Sequence, residues 1–281
     1  MSVETPVKAA GPEGVNASER SGLLTAAGDV HGGRSTAAVL ALTQRELASL
    51  FFSPIAYIVG AVFLGLAGYA FVEKTLVPGN EASMRMLLEW MAGGLVFAVP
   101  LLTMRSIADE FSSGAIETLM TAPVTDTSVI LGKFLGAFAF YLVMLAATIL
   151  HLILMARFAD PVPAVVFAGY LGMVLLGAFF IAVGIFASSC TRHQLLAATL
   201  GMAILAMFTF AANQGSLLLG RTTIGHWVID WRRVSSYVNA YGHFSDFAKG
   251  SLDLASIVFF VSGTALFLFL AVKVLESRRW R

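Results

Sequence analysis

Six apolar runs dominate this chain: Pro54 to Val72, Leu87 to Met104, Phe134 to Ala156, Ala164 to Ser189, Leu195 to Ala212 and Ala255 to Val272, each 18 to 26 residues long. Together they hold one charged side chain, Glu89, although the whole chain carries 18 Lys and Arg and 17 Asp and Glu. Crossing a hydrocarbon core of about 30 Å as an α-helix takes ~20 apolar residues. The runs are of that size, which excludes a soluble fold and predicts six membrane spans. Lipid offers the backbone no hydrogen-bond partners, so a span must be a helix or part of a closed barrel, and the runs lack the alternation of barrel strands. The expected fold class is an all-α membrane protein, with the six-helix domain over 54–275.

The remaining residues set the flanks. Residues 1–37 are rich in Gly, Ala, Ser and Glu, without apolar periodicity or the apolar core of a cleaved signal, and predict a disordered tail on the cytoplasmic side. Over 38–53 the pattern becomes amphipathic. At 100° per residue Val39, Leu40, Leu47, Leu50 and Phe51 share an arc of about 120°, while Arg45, Glu46 and Ser49 fall outside it and Leu42 interrupts the polar side. Such a helix directly before a span predicts an interfacial position, and Pro54 suits the first turn of the span.

An even number of spans puts both termini on one side. With that side inside, 11 of the 18 Lys and Arg are cytoplasmic, and Arg278, Arg279 and Arg281 directly follow the last span, where positive charge weighs most in orientation. Residues 276–281 then form a basic cytoplasmic tail, 105–133 an inner loop and 213–254 a long external segment. Trp227, Trp231, Tyr237, Tyr241, Phe244 and Phe247 predict short surface helices in that segment, with a re-entrant dip over 216–229 as the alternative.

Catalytic chemistry is not legible. The run Gly28 to Ser35 reads GxxxxGRS, which lacks the lysine of a phosphate loop and sits in the polar tail, so any ATP must be hydrolysed by a partner. No histidine pair has the i, i+4 spacing of a helical metal site, and the single Cys190 allows neither an internal disulfide nor a zinc pattern. The chain is expected to be no enzyme, with no metal and no cofactor of its own. A net charge of +1 gives no attraction for nucleic acid. His151 within the third run reads as a packed neutral imidazole and Glu89 as a boundary residue. Gly132 with Gly136, Gly184 with Ser188, and Ala197 with Gly201 are small pairs four apart, which serve helix packing or dimerisation.

The inner loop is the most informative stretch. Asp109 and Glu110 precede a turn at Ser112, Ser113 and Gly114; Ala115 to Thr121 can form about two helical turns; Pro123 ends them. Ile116, Leu119 and Met120 make one apolar patch beside Glu117, suited to a partner groove or to lipid headgroups.

Three stretches, Arg45 to Leu64, Pro100 to Phe138, and His243 to Leu254 with Leu266 to Trp280, resemble the ABC-2-type permeases, most closely the gliding-motility (GldF-like) subgroup. The resemblance implies the permease subunit of an ABC transporter, an exporter in the bacterial cytoplasmic membrane with six spans. It implies separate ATPase subunits that use ATP and Mg, and a second permease copy or a homologous one. A further subunit with a large external domain also belongs to the implied set. By the same resemblance the ATPase-coupling residues are Arg45 and Glu46 in the interfacial helix, then Asp109, Glu110, Ser113, Gly114, Ile116, Glu117, Leu119, Met120 and Pro123 in the coupling helix and its flanks. The competing reading is a scaffold that passes ATPase motion to an external partner without moving a solute.

Overall fold

The structure is a computed structural model that describes residues 36–75, 84–114, 125–157, 162–211, 221–224, 227–230 and 237–279. Helix α1 covers 36–51. Pro54 opens α2 (Pro54–Ala70), which runs into a π-turn at Phe71–Thr75. Helix α3 (Met84–Thr103) contains Pro100 and is followed after a turn by α4 (Ala108–Ser112). Thr125 starts α5 (Asp126–Ala147) by accepting the Ser128 N–H, and Thr148 separates it from α6 (Ile149–Met155) by donating to the Leu145 carbonyl at 2.6 Å. Then come α7 (Pro163–Cys190), α8 (Gln194–Ala206) with a π-turn at Met207–Ala211, strands β1 (Arg221–Ile224) and β2 (Trp227–Asp230), α9 (Ala240–Ala248) and α10 (Leu254–Arg279).

Helix α7 is the hub, packing against α3, α5, α8, α9 and α10. Its glycines allow this crowding. A side chain at Gly169, Gly172, Gly177 or Gly184 would run into Leu88, Phe247, Tyr141 or Thr103 respectively. On another face Phe179 meets the rings of Phe208, Phe259, Phe260 and Phe267, at centroid separations of 5.4 to 6.1 Å. Tyr141 is buried and donates to the Met173 carbonyl at 2.8 Å, so its ring cannot yield cheaply. Gly177→Ala is therefore expected to destabilise the protein by about 1–3 kcal/mol through overpacking. A thermal melt in detergent checks this, and an unchanged midpoint would refute the tight contact.

Among the described residues, five helical segments are long and apolar enough to cross a membrane: Pro54–Glu73, Met84–Ser112, Asp126–Met155, Pro163–Cys190 and Leu254–Arg278. The remaining apolar run, Leu195 to Ala212, yields the shorter helix Gln194–Phe210. The fold is helical, in line with the all-α expectation, and among the described residues one short ribbon departs from it locally. Residues Arg221 to Asp230 form an antiparallel ribbon, with Arg221 paired to Asp230, Thr222 to Ile229, Thr223 to Val228 and Ile224 to Trp227. The β-branched residues Thr222, Thr223, Ile224, Val228 and Ile229 favour strands over the short helix or the dip expected there. Helix α9 is a short helix of the expected kind, but its Phe244 and Phe247 are buried against the bundle instead of lying at a surface.

The amphipathic N-terminal segment is helical over 36–51, and the face it packs differs from its apolar arc. Val39, Leu42, Thr43, Glu46, Leu47 and Leu50 turn inward, while Leu40 is 61% exposed. At 100° per residue this face is rotated by about 50° from the apolar arc. The small pair Gly132 and Gly136 on α5 explains the rotation. A Cβ at Gly132 would lie 2.5 Å from Leu42 Cβ, and one at Gly136 would lie 2.7 Å from Glu46 Cβ. Phe51 then meets Phe140 edge-on at 5.2 Å, so α1 follows α5 in the same direction. Leu42 is thus a packing residue. The other two small pairs are also engaged within the chain, Gly184 and Ser188 on the end of α3, and Gly201 beside Pro100, where an added Cβ would lie 3.3 Å from the proline Cβ.

Candidate functional site

At one end of the bundle five elements converge on the turn between α3 and α4. Ile107, at the N-cap of α4, has no side chain able to accept the first free N–H groups of a helix. Ser188 of α7 supplies the acceptor. Its Oγ receives the Ile107 and Ala108 N–H groups at 3.1 and 3.0 Å and donates to the Met104 carbonyl at 3.1 Å. Gly184, one turn earlier, leaves room for Thr103. From α8, Gln194 Nε2 donates to Asp109 Oδ1 at 2.6 Å, while Arg105 pairs with Oδ2 at 3.5 Å. From α10, Arg278 donates to the Cys190 carbonyl at 2.6 Å and lays its guanidinium 4.5 Å from the centre of the Phe111 ring.

The opposite flank is ionic. Lys133 on α5, with its side chain 5% exposed, sits 3.0 Å from Glu110 Oε1 and 3.3 Å from Glu46 Oε2. Its third donor direction goes to the Ser106 carbonyl at 2.5 Å, and the Ser106 hydroxyl donates to Glu46 Oε1 at 2.9 Å. One ammonium therefore ties α1, the α3–α4 turn and α5 together. The other oxygen of Glu110 is buried without a hydrogen-bond partner among the described residues. Next to this cluster lies a cavity of about 520 Å³, with Arg45, Arg105 and Asp109 on its polar side and Leu50, Phe52, Ile55 and Leu101 on its apolar side.

Of the site residues expected from sequence, Arg45, Glu46, Asp109, Glu110 and Ser113 line this cavity. Asp109 and Glu110 belong to α4 instead of the loop expected there, because Ser188 caps that helix from outside. The Ser112 and Ser113 hydroxyls close it by donating to the Asp109 carbonyl at 3.0 and 2.8 Å, and Gly114 leaves it at φ 75°, a left-handed conformation suited to glycine. Ile116, Glu117, Leu119, Met120 and Pro123 lie outside the described residues. Sequence reasoning missed Lys133, Ser106, Ser188, Gln194 and Arg278. For Lys133 a signal existed: a cation set between Gly132 and Gly136 on a close-packing face has to be paired.

The other singled-out residues lie away from this cavity. Glu89 pairs with Arg85 at 2.8 Å and lies close to Tyr241 of α9. Burial, and then the Glu89 carboxylate, push the Tyr241 hydroxyl above its usual range. His151 is half-buried edge-on to Phe71 at 5.2 Å. His243 stacks on Phe259, with its Nε2 3.3 Å from the Tyr237 carbonyl and its Nδ1 hydrogen-bonded to the Ser256 hydroxyl at 2.9 Å. Among the described residues no group of His, Cys, Asp and Glu could hold a metal ion.

No curated protein matches the chain. The family model described as ABC-2 family transporter protein matches residues 89–270, well over half of the sequence and all of the α3–α4 turn, α5 and α7. With several helices able to cross a membrane and this match, the chain is a multi-pass membrane protein that belongs to the ABC-2 transporter family, whose members associate with an ABC ATPase subunit.

Proposed function

We propose that this chain is the permease subunit of a bacterial ABC exporter, driven by separate ATP-binding subunits that grip the loop between α4 and α5. The observation that carries the reading is the way the loop is rooted. It leaves α4 and enters α5 between helices joined by the Glu110–Lys133 pair, and α4 is fastened through Ser188, Gln194 and Arg278 to α7, α8 and α10. A partner that displaces this loop moves helix ends together, and a packed bundle responds by rigid rearrangement instead of local bending. Glu46, spent on Lys133, serves as an anchor for α1, and Glu117, Leu119 and their neighbours serve as the contact. ATP and Mg bind to the partner.

The same reading takes Gln194–Phe210 as a sixth span, about 25 Å long at 1.5 Å per residue, a length that a thinned bilayer accommodates. Six spans put both termini in the cytoplasm of a cytoplasmic-membrane protein, with the basic end after α10 inside. In this arrangement α1 lies at the cytoplasmic rim. A dimer is supported by α2, where Ala61 and Gly65 form an exposed small pair beside Tyr57, Ile58 and Val62, with open space at Gly65. The gliding-motility subgroup rests on the sequence likeness, with Arg45 to Leu64 among the matched stretches.

The test is reconstitution of the complex with its ATP-binding subunit in proteoliposomes. Glu117→Ala with Leu119→Ala is expected to reduce recovery of the ATP-binding subunit several-fold and to abolish ATP-dependent solute movement, with membrane insertion intact. Unchanged recovery would remove the loop from the docking role, and ATP turnover without moved solute in the wild type would replace the exporter with a mechanical scaffold.

A further inference from the structure

We propose that the cavity beside the α3–α4 turn seats the headgroup of a phospholipid of the phosphatidylethanolamine class. Its depth is the first argument. The apolar stretch of α2 begins at Pro54 and that of α3 ends at Met104, and the cavity is bounded by residues 45–56 and 101–113, astride the boundary between apolar and charged surface. That is the level of lipid headgroups. Its walls are the second. Leu50, Ile55 and Leu101 form one side, and Phe52, 87% exposed at the rim, continues this apolar surface outward where an acyl chain would lie.

The polar side selects the headgroup. Arg45 and Arg105 present guanidinium groups suited to a phosphodiester. Asp109 and Glu46 hold further lone pairs for a primary ammonium, since each of their oxygens has one partner and can accept a second. Three cations, Arg45, Arg105 and Lys133, face three carboxylates, Glu46, Asp109 and Glu110, so the cavity carries no net charge to draw an anionic headgroup. A zwitterion matches it. A quaternary choline cannot donate to the carboxylates, which separates ethanolamine from choline lipids, and phosphatidylglycerol lacks the cation.

The experiment uses the full-length protein in nanodiscs of equal phosphatidylethanolamine, phosphatidylcholine and phosphatidylglycerol, followed by mild extraction and counting of retained lipid by native mass spectrometry. Phosphatidylethanolamine is expected to be retained about tenfold over the others, and Arg45→Gln with Arg105→Gln to erase that preference. Both arginines are exposed, so the variants keep the fold; Lys249→Gln, in an exposed pair at the end of α9, should leave the preference intact. Equal retention of the three lipids, or a preference unaffected by the arginine substitutions, overturns the proposal. So does loss of the retained lipid when the ATP-binding subunit is bound, which would assign the cavity to that partner.

Discussion

Replacing Lys133 with methionine is expected to destabilise the protein by about 3–5 kcal/mol, enough to lower its yield from membranes sharply. The side chain would still fill the space, so the loss is electrostatic. Glu46 and Glu110, both largely buried, would face each other without a cation, and the Ser106 carbonyl would lose its donor. Breaking one partner of a buried pair costs far more than removing the pair, because the remaining charges stay desolvated. Adding Glu46→Gln and Glu110→Gln to Lys133→Met should therefore recover most of the lost stability. Thermal melts of the single and triple variants in one detergent decide the matter. A single variant that melts like the wild type would mean that the cluster is hydrated and loosely held.

The second large effect is expected at Ser188. Its hydroxyl is the acceptor for two buried N–H groups at the start of α4 and the donor to Met104 at the end of the turn. Ser188→Ala strands two donors, at about 1–3 kcal/mol each, so a loss of roughly 2–6 kcal/mol follows. Unlike Lys133→Met, this change leaves the ionic cluster whole and frees α4 from α7. Within the proposed function the ATP-binding subunit should still be recovered while coupling between ATP turnover and solute movement falls. Hydrogen exchange gives an independent check: the Ile107 and Ala108 amides should lose protection, and full retention of protection in the variant would count against the cap.

The apolar runs made the membrane helices legible, because lipid leaves a twenty-residue apolar stretch few alternatives. The engaged site was only half legible. Asp109 and Glu110 stood out as charges near a turn, but their partners Gln194 and Lys133 lie 85 and 23 positions away, and no local period links them. Ser188 was visible only as half of a small pair; that its hydroxyl caps a helix across the bundle depends on tertiary approach. The rotated face of α1 has the same cause. A hydrophobic arc predicts which side of a helix avoids water, but Glu46 turns inward because a lysine 87 positions later requires it. The ribbon at Arg221 to Asp230 is a different case: Thr-Thr-Ile before and Trp-Val-Ile after Gly225-His226 carry a hairpin signal that the surrounding aromatics obscured.

The contact of α1 with Gly132 and Gly136 also bears on how the protein is made. At about 5–20 residues per second, a ribosome that has finished Glu46 needs roughly 4–17 s to reach Lys133. During that interval the N-terminal helix has neither its glycine groove nor its counter-ion, and two later membrane segments must insert before either emerges. The apolar arc that the finished fold leaves partly unused, with Leu40 still exposed, can rest on the bilayer surface during that interval. Helix α1 is thus seated only after α2 and α3 have been made, and its docking reports that α5 has arrived.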